Sequence, residues 1–293
     1  MHAPVRLVAI DVDGTLLPGF GKALTPRTGR ALRAAQEAGV TVALATGRRT
    51  DFATPLLRGL KLRADMPLIA SNGAVLRTLG GDSLDRCLFP AEVARGLCGL
   101  LRPFGALVFT FDRPGGREVV LEDLETARQQ IPQWVEANRD AIAVVKPLED
   151  AFGNGEDLIQ GMASGRLSQM REAEKAFKAS PWADSCEYAQ TIYPERDMSI
   201  LDLLPPGVSK GAALKRLAAR LGMAREETMA IGDNWNDVDM LEWAGEGVLM
   251  GNAVAELRSM AETRGWLLAP SNVEDGVAVV LEAAIARRVA DKI

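Results

Sequence analysis

Residues 6–15, Arg6-Leu7-Val8-Ala9-Ile10-Asp11-Val12-Asp13-Gly14-Thr15, decide the reading of this chain. Residues 6–10 are almost continuously apolar and read as a strand buried on both faces, ending at Asp11. Asp11 and Asp13 are alternate residues of extended chain, so both side chains can enter one pocket. Two carboxylates about 4 Å apart repel by roughly 4 kcal/mol at an effective dielectric near 20. A protein tolerates that with a cation or a shared proton. Magnesium suits such a pair, because it takes oxygen ligands and usually one or two carboxylates plus a substrate phosphate. The same residues also read as a solvated Asp-Gly turn that closes a strand.

Outward from this run, short apolar segments alternate with helical ones. Residues 27–38 read as a helix, with Thr25 as cap, Pro26 in the first turn and Gly39 as its stop. Residues 40–45 and 67–70 are further buried strands. Apolar strands separated by helices predict a parallel, doubly wound α/β sheet of Rossmann-like type. After Asn72-Gly73 the pattern changes. Residues 74–79, 85–89, 106–111 and 117–121 look like sheet, with a turn at Pro114-Gly115-Gly116. Helices are expected near 91–101, 125–137 and 167–177. The first pattern returns with strands at 199–203, 228–231 and 247–250 and helices at 210–221, 236–244 and 273–289. The expected organisation is a split core over residues 1–81 and 192–293, carrying an inserted α+β domain over 82–191.

Four more segments place polar groups at strand ends or helix starts. Thr46-Gly47-Arg48 follows a buried strand, where a hydroxyl and a backbone N–H can hold a phosphate oxygen. Taken alone, it reads more simply as a capping threonine beside a surface arginine. Lys210, after Ser209 at a helix start, can neutralise a nucleophile and a phosphoryl group, or stand as an ordinary first-turn lysine. Gly232-Asp233-Asn234-Trp235-Asn236-Asp237 follows another strand. Asp233 is the natural second magnesium carboxylate, while a capped acidic first turn explains Asp237. Ser71-Asn72-Gly73-Ala74 is a turn that can also present Asn72 to a ligand. Ligands of open α/β sheets bind beyond the carboxyl ends of the strands, which is where these segments converge.

Composition removes other chemistries. The 293 residues carry a net charge of -5, which argues against nucleic acid as the main partner. No apolar run is long enough to span a membrane, and the N-terminal run does not form a signal peptide. Three cysteines without C-x-x-C spacing read as reduced thiols of a soluble, cytoplasmic protein. The single histidine is His2, so His-based triads, a phosphohistidine route and an H-E-x-x-H zinc site are excluded.

The motifs Asp11-Val-Asp13-Gly-Thr15, Thr46-Gly-Arg48, Lys210 and Gly232-Asp233-Asn-Trp-Asn-Asp237 resemble, in order and spacing, those of haloacid dehalogenase-like hydrolases. Ser71-Asn-Gly-Ala74, Met250-Gly-Asn-Ala253 and Ser271-Asn-Val-Glu-Asp-Gly-Val277 resemble the Cof-like branch, which carries an α/β cap. The resemblance implies a phosphatase in which Asp11 is the nucleophile and forms an aspartyl phosphate. Asp13 would protonate the leaving oxygen and then activate water. Thr46 and Lys210 would hold phosphoryl oxygens. Asp11, the backbone carbonyl of Asp13, and Asp233 would ligate Mg2+. Asn236 and Asp237 would support Lys210 and the metal shell, and Arg48, Asn72 and Asn236 would face the substrate or the cap.

The substrate expected from this resemblance is a small phosphorylated metabolite of the sugar phosphate or nucleotide class, with the cap supplying its contacts. Two other readings use the same residues. One is a phosphotransferase or mutase, in which a sugar hydroxyl takes the phosphate from Asp11. The other is a regulator that binds phosphometabolites without catalysis, which the intact set of polar site residues argues against.

Overall fold

The strand expected from the opening run is Leu7–Asp11, buried along its whole length. The computed structural model describes residues 3–19, 23–58, 62–113, 115–153 and 157–290. Their strands, in chain order, are β1 Leu7–Asp11, β2 Thr41–Ala45, β3 Pro67–Ala70, β4 Val75–Thr78, β5 Ser83–Arg86, β6 Ala106–Phe111 and β7 Val119–Leu121. They continue with β8 Ile142–Val144, β9 Leu158–Gly165, β10 Glu187–Tyr193, β11 Met198–Leu204, β12 Thr228–Gly232, β13 Glu246–Leu249 and β14 Leu267–Leu268. The chain folds as two compact units, one of Met1–Gly47, Ala53–Asp85 and Ser209–Ile293, the other of Arg48–Phe52 and Arg86–Val208.

The first unit is built on a sheet of order β14-β13-β12-β1-β2-β3-β4-β5. Strands β14 through β3 run parallel, and β4 returns antiparallel to β3. Apolar side chains sit on both faces of the parallel strands, as a sheet covered by helices requires. On one face Leu7, Ala9, Ala43 and Ala230 pack with Ala213, Leu214 and Leu217 of the helix Lys210–Arg220. Helix Pro26–Glu37 starts as expected: the Thr28 N–H donates to the Thr25 hydroxyl at 3.1 Å, and Pro26 occupies the first turn. Arg27 of that helix pairs with Glu282 of the terminal helix Gly276–Ala290 at 2.7 Å. The architecture is α/β and doubly wound. From β1 the chain winds one way through β2 and β3, and the later strands β12 to β14 extend the sheet the other way. The switch point therefore lies between β1 and β12, the place where such sheets bind ligands.

The second unit has a sheet of order β10-β11-β9-β6-β7-β8, antiparallel except for the β7–β8 pair. Alternation along β6 sends Leu107, Phe109 and Phe111 into one apolar cluster and Ala106 and Val108 into another. The Phe109 and Phe152 rings meet edge to face at 4.7 Å. Cys98 and Cys186 are buried free thiols of this unit, which burial pushes up to about 12.

Several expectations are corrected. The strand expected near 199–203 is β11, and it pairs with β9 and β10 in the second sheet. A division at 191/192 would cut through the β10–β11 hairpin, and the first unit resumes only at Ser209. The stretch 125–137 is two helices, Leu124–Gln130 and Pro132–Ala137, because Pro132 has no N–H to continue the first. The expected turn at Pro114-Gly115-Gly116 has its first residue outside the described residues; Gly116 N–H donates to Arg113 O at 2.8 Å. No helix among the described residues is long and apolar enough to cross a membrane.

A tight join in the first unit lies where the turn after β3 meets the start of helix Lys210–Arg220. Gly73 has φ +102, and a Cβ there would lie 2.3 Å from the Ser209 carbonyl oxygen. Gly73→Ala is therefore expected to cost about 2–4 kcal/mol, seen as a lower melting temperature. An unchanged melting temperature would mean that this join yields freely.

Candidate active site

Strand ends deliver the polar residues. Asp11 is the last residue of β1, Asp233 follows β12, Thr46 follows β2, and Ser71-Asn72-Gly73 follows β3. Lys210 opens its helix, whose Ser209 cap accepts the Ala212 N–H at 3.0 Å. All of these belong to the first unit.

Lys210 is the centre. Its ammonium, 1% exposed, donates to Asp11 Oδ1 at 2.6 Å and to Asp237 Oδ1 at 2.7 Å. Asp237 is itself held by the backbone: its Oδ2 accepts the N–H groups of Asp233 at 2.9 Å and Asn234 at 3.0 Å. Asp237 thus links the lysine ammonium to the backbone of the turn after β12. Burial opposes the lysine's charge, but Asp11 and Asp237 outweigh it and raise its pKa above the ordinary lysine value.

Asp11, Asp233 and Asp237 bring carboxylate oxygens within 4.8 Å of one another. At an effective dielectric near 20, each pair at that range repels by about 3 kcal/mol. One ammonium cannot offset three carboxylates, and it touches only two of them. Burial, then the charge of Asp237, pushes Asp233 up to about 7, against a hydrogen bond from Thr15 and the charge of Lys210. Burial and the surrounding carboxylates, Asp237 foremost, also raise Asp11, while Lys210 pulls it down. A site that lifts carboxylates in this way needs a proton or a cation, and an all-oxygen donor set fits a hard divalent ion.

Asp13 adds its charge to that cluster, helping to raise both Asp11 and Asp233. It is half-buried, in a tight loop where Gly14 N–H donates to Leu17 O at 2.9 Å and Leu17 N–H to Val12 O at 2.8 Å. Gly14 has φ +93, and a Cβ there would lie 2.4 Å from Asp233 Oδ2, so only glycine lets the loop lie against that carboxylate. Thr46 is fully buried; its N–H is committed to Ile69 O at 2.8 Å, and its carbonyl accepts the Asn72 N–H at 3.0 Å. Asn72 takes a left-handed conformation with φ 51, and its Oδ1 accepts from Asn236 Nδ2 at 3.1 Å. The Asn72 Nδ2 and Ser71 Oγ atoms are buried without a hydrogen-bond partner. Such groups cost free energy unless a ligand or water meets them.

Arg48 falls in the other unit, with its guanidinium 4.9 Å from the centre of the Phe52 ring. Its neighbour Arg49 pairs there with the buried Glu118 and donates to Asn138 Oδ1 at 3.1 Å. Three residues at the site had no role in the sequence reading. The Thr15 hydroxyl donates to Asp233 Oδ1 at 2.7 Å, and the Asn252 and Asn272 amides both donate to the Gly14 carbonyl. The signal for Asn252 was its place just after β13, beyond the same sheet edge.

A family model described as haloacid dehalogenase-like hydrolase matches residues 8–281. The chain is 28% identical over 295 residues to the 5-amino-6-(5-phospho-D-ribitylamino)uracil phosphatase YwtE of Bacillus subtilis, covering 95% of this chain and 97% of that protein. It is 30% identical over 255 residues to the HMP-PP phosphatase of Serratia proteamaculans, covering 87% of each. A solved haloacid dehalogenase-like hydrolase from B. subtilis aligns with a TM-score of 0.78 at 26% identity, covering 95% of this chain and 99% of that one.

The lifted Asp233 carboxyl ties stability to pH. It holds its proton to about pH 7 when folded, against an ordinary value of 3.8. Between those values the folded chain binds more protons than the unfolded one. This contribution to stability is complete below the unfolded value and is lost as pH rises through the folded one. In excess chelator, the melting temperature is expected to fall between about pH 5 and about pH 8, and to fall less in Asp233→Asn. The same pH slope in both proteins would count against the assignment.

Proposed function

The chain belongs to the haloacid dehalogenase-like hydrolases, and we propose that this phosphatase cleaves a small phosphorylated metabolite by covalent transfer to Asp11 with Mg2+ bound alongside. The observation that carries the reading is the buried ammonium of Lys210, 2.6 Å from Asp11, with Asp11, Asp233 and Asp237 bringing carboxylate oxygens within 4.8 Å of one another.

In this reading Asp11 attacks phosphorus as the bond to the leaving oxygen breaks, and Asp13 gives that oxygen a proton. Water then attacks the aspartyl phosphate, losing a proton to Asp13, and Asp11 is released with inorganic phosphate. Asp11, Asp233 and the backbone carbonyl of Asp13 would hold the metal, with Asp237 supporting Lys210. A cation held there would supply positive charge against the phosphoryl oxygens and would favour the ionised form of Asp11. Lys210 and Thr46 hold phosphoryl oxygens, and Asn72 offers its buried amide N–H group to the substrate. Arg48 and Asn236 are assigned to substrate contact, and the choice among metabolites to the inserted unit. The relatives act on phosphorylated small molecules by their names, which supports the sugar phosphate or nucleotide class.

A phosphate-release screen across phosphorylated metabolites, run with magnesium, tests this. Wild-type protein is expected to release phosphate from at least one compound without any acceptor. Asp11→Asn is expected to lose at least about a thousandfold in rate while melting near the wild-type temperature. Full turnover by Asp11→Asn would remove the covalent step. Excess chelator is expected to stop release and added magnesium to restore it; undiminished release in chelator would remove the metal.

A further inference from the structure

The segments Met250-Gly-Asn252-Ala253 and Ser271-Asn272 are not used by the chemistry above, yet both converge on Gly14. Asn252 Nδ2 donates to the Gly14 carbonyl at 2.8 Å, and Asn272 Nδ2 donates to the same oxygen at 2.6 Å. Asn252 Nδ2 also lies 3.4 Å from Asp233 Oδ2. The two asparagines are joined to each other, with Asn272 N–H donating to Asn252 Oδ1 at 2.9 Å. That bond orients the Asn252 amide so that its NH2 faces the loop and the carboxylate.

The far side of this pair is anchored. Ser271 N–H donates to Glu274 Oε2 at 3.0 Å, and the Thr25 hydroxyl donates to Asp275 Oδ1 at 2.5 Å. Gly14 is therefore held at both ends of its own residue, the N–H by Leu17 and the carbonyl by the asparagines. A glycine at φ +93 has wide conformational freedom when unrestrained. Fixing it fixes the peptide that joins it to Asp13, and with that the direction of the Asp13 carbonyl.

We infer that Asn252 and Asn272 form a latch that positions the Asp13–Gly14 peptide and the outer oxygen of Asp233 for the divalent cation. Neither asparagine touches the reacting atoms; both are positioning residues. The inference rests on the metal site proposed above, at Asp11, Asp233 and the Asp13 carbonyl. Groups that orient metal ligands are typically worth about 10- to 100-fold in metal affinity or activity. Asn252 touches both the loop and Asp233, and Asn272 acts only through the loop and Asn252. The latch therefore ranks their effects on cation binding, with Asn252 the larger.

The test is a magnesium chloride titration of melting temperature without substrate, together with kcat and KM for p-nitrophenyl phosphate. Asn252→Ala is expected to weaken magnesium about tenfold or more and Asn272→Ala by less, with kcat lowered and KM little changed. Asn272→Asp keeps the shape but aims an acceptor at the Gly14 oxygen, so it is expected to be worse than Asn272→Ala on both readouts. A residue that only fills space would tolerate Asp at least as well as Ala. Should Asn272→Ala fail to fold, Asn272→Ser takes its place, keeping a donor in a smaller side chain. If all variants bind magnesium and turn over like wild type, the latch is overturned while the phosphatase reading stands. If wild type itself shows neither a magnesium-dependent shift nor phosphate release, the metal site falls, and the latch with it.

Discussion

A lysine ammonium with almost no access to solvent, held between two carboxylates, organises this molecule. Lys210 reaches Asp11 and Asp237 at 2.6 and 2.7 Å, and removing any one member would strand charge in the interior. The three residues come from β1, from the start of the helix after the inserted unit, and from the turn after β12. Satisfying one buried charge therefore fixes three elements against one another. It also leaves a surplus of negative charge at the sheet edge, and that surplus is the basis of the chemistry assigned to the site.

The surrounding backbone is shaped to permit this. Buried residues run along β1 and β12 to their carboxyl ends, so Asp11 and Asp233 emerge together at the switch point. The loop after Asp11 folds back tightly enough to lie against Asp233, which a side chain at position 14 would block. The turn after β3 takes left-handed conformations at both Ser71 and Asn72, φ 48 and 51. Strain of this kind persists where the surroundings over-determine it, and it accompanies binding sites. The buried Asn72 Nδ2, which has no hydrogen-bond partner, fits that pattern.

Much of this was legible in the chain. The apolar runs before Asp11, Thr46 and Asp233 announced buried parallel strands, because few other structures bury so continuous a run. Asp11, Asp233, Asp237 and Lys210 come together from separate parts of the chain. The second unit was harder to read. β9 contains two glycines and a serine within Leu158–Gly165, which hides its strand character, and β10 alternates without a strong apolar face. The apolar run at β11 looked like the buried strands of the first sheet, and periodicity does not tell which sheet a strand joins. The latch asparagines were quoted without a role, since single amides have no spacing rule and their meaning lies in what they reach across the fold.

The insertion has a consequence for how the protein is made. Asp11 leaves the ribosome 199 residues ahead of its lysine partner, and Asn272 follows later still. The stretch Arg86–Val208 carries its own sheet and apolar clusters, so most of that unit can collapse while the nascent chain still lacks Lys210. The acidic strand end must wait through that interval without its counter-charge. The Lys210–Asp11 pair can thus form only after the whole Arg86–Val208 stretch has been made, and a chain cut before Lys210 holds the acidic end of β1 without its ammonium partner.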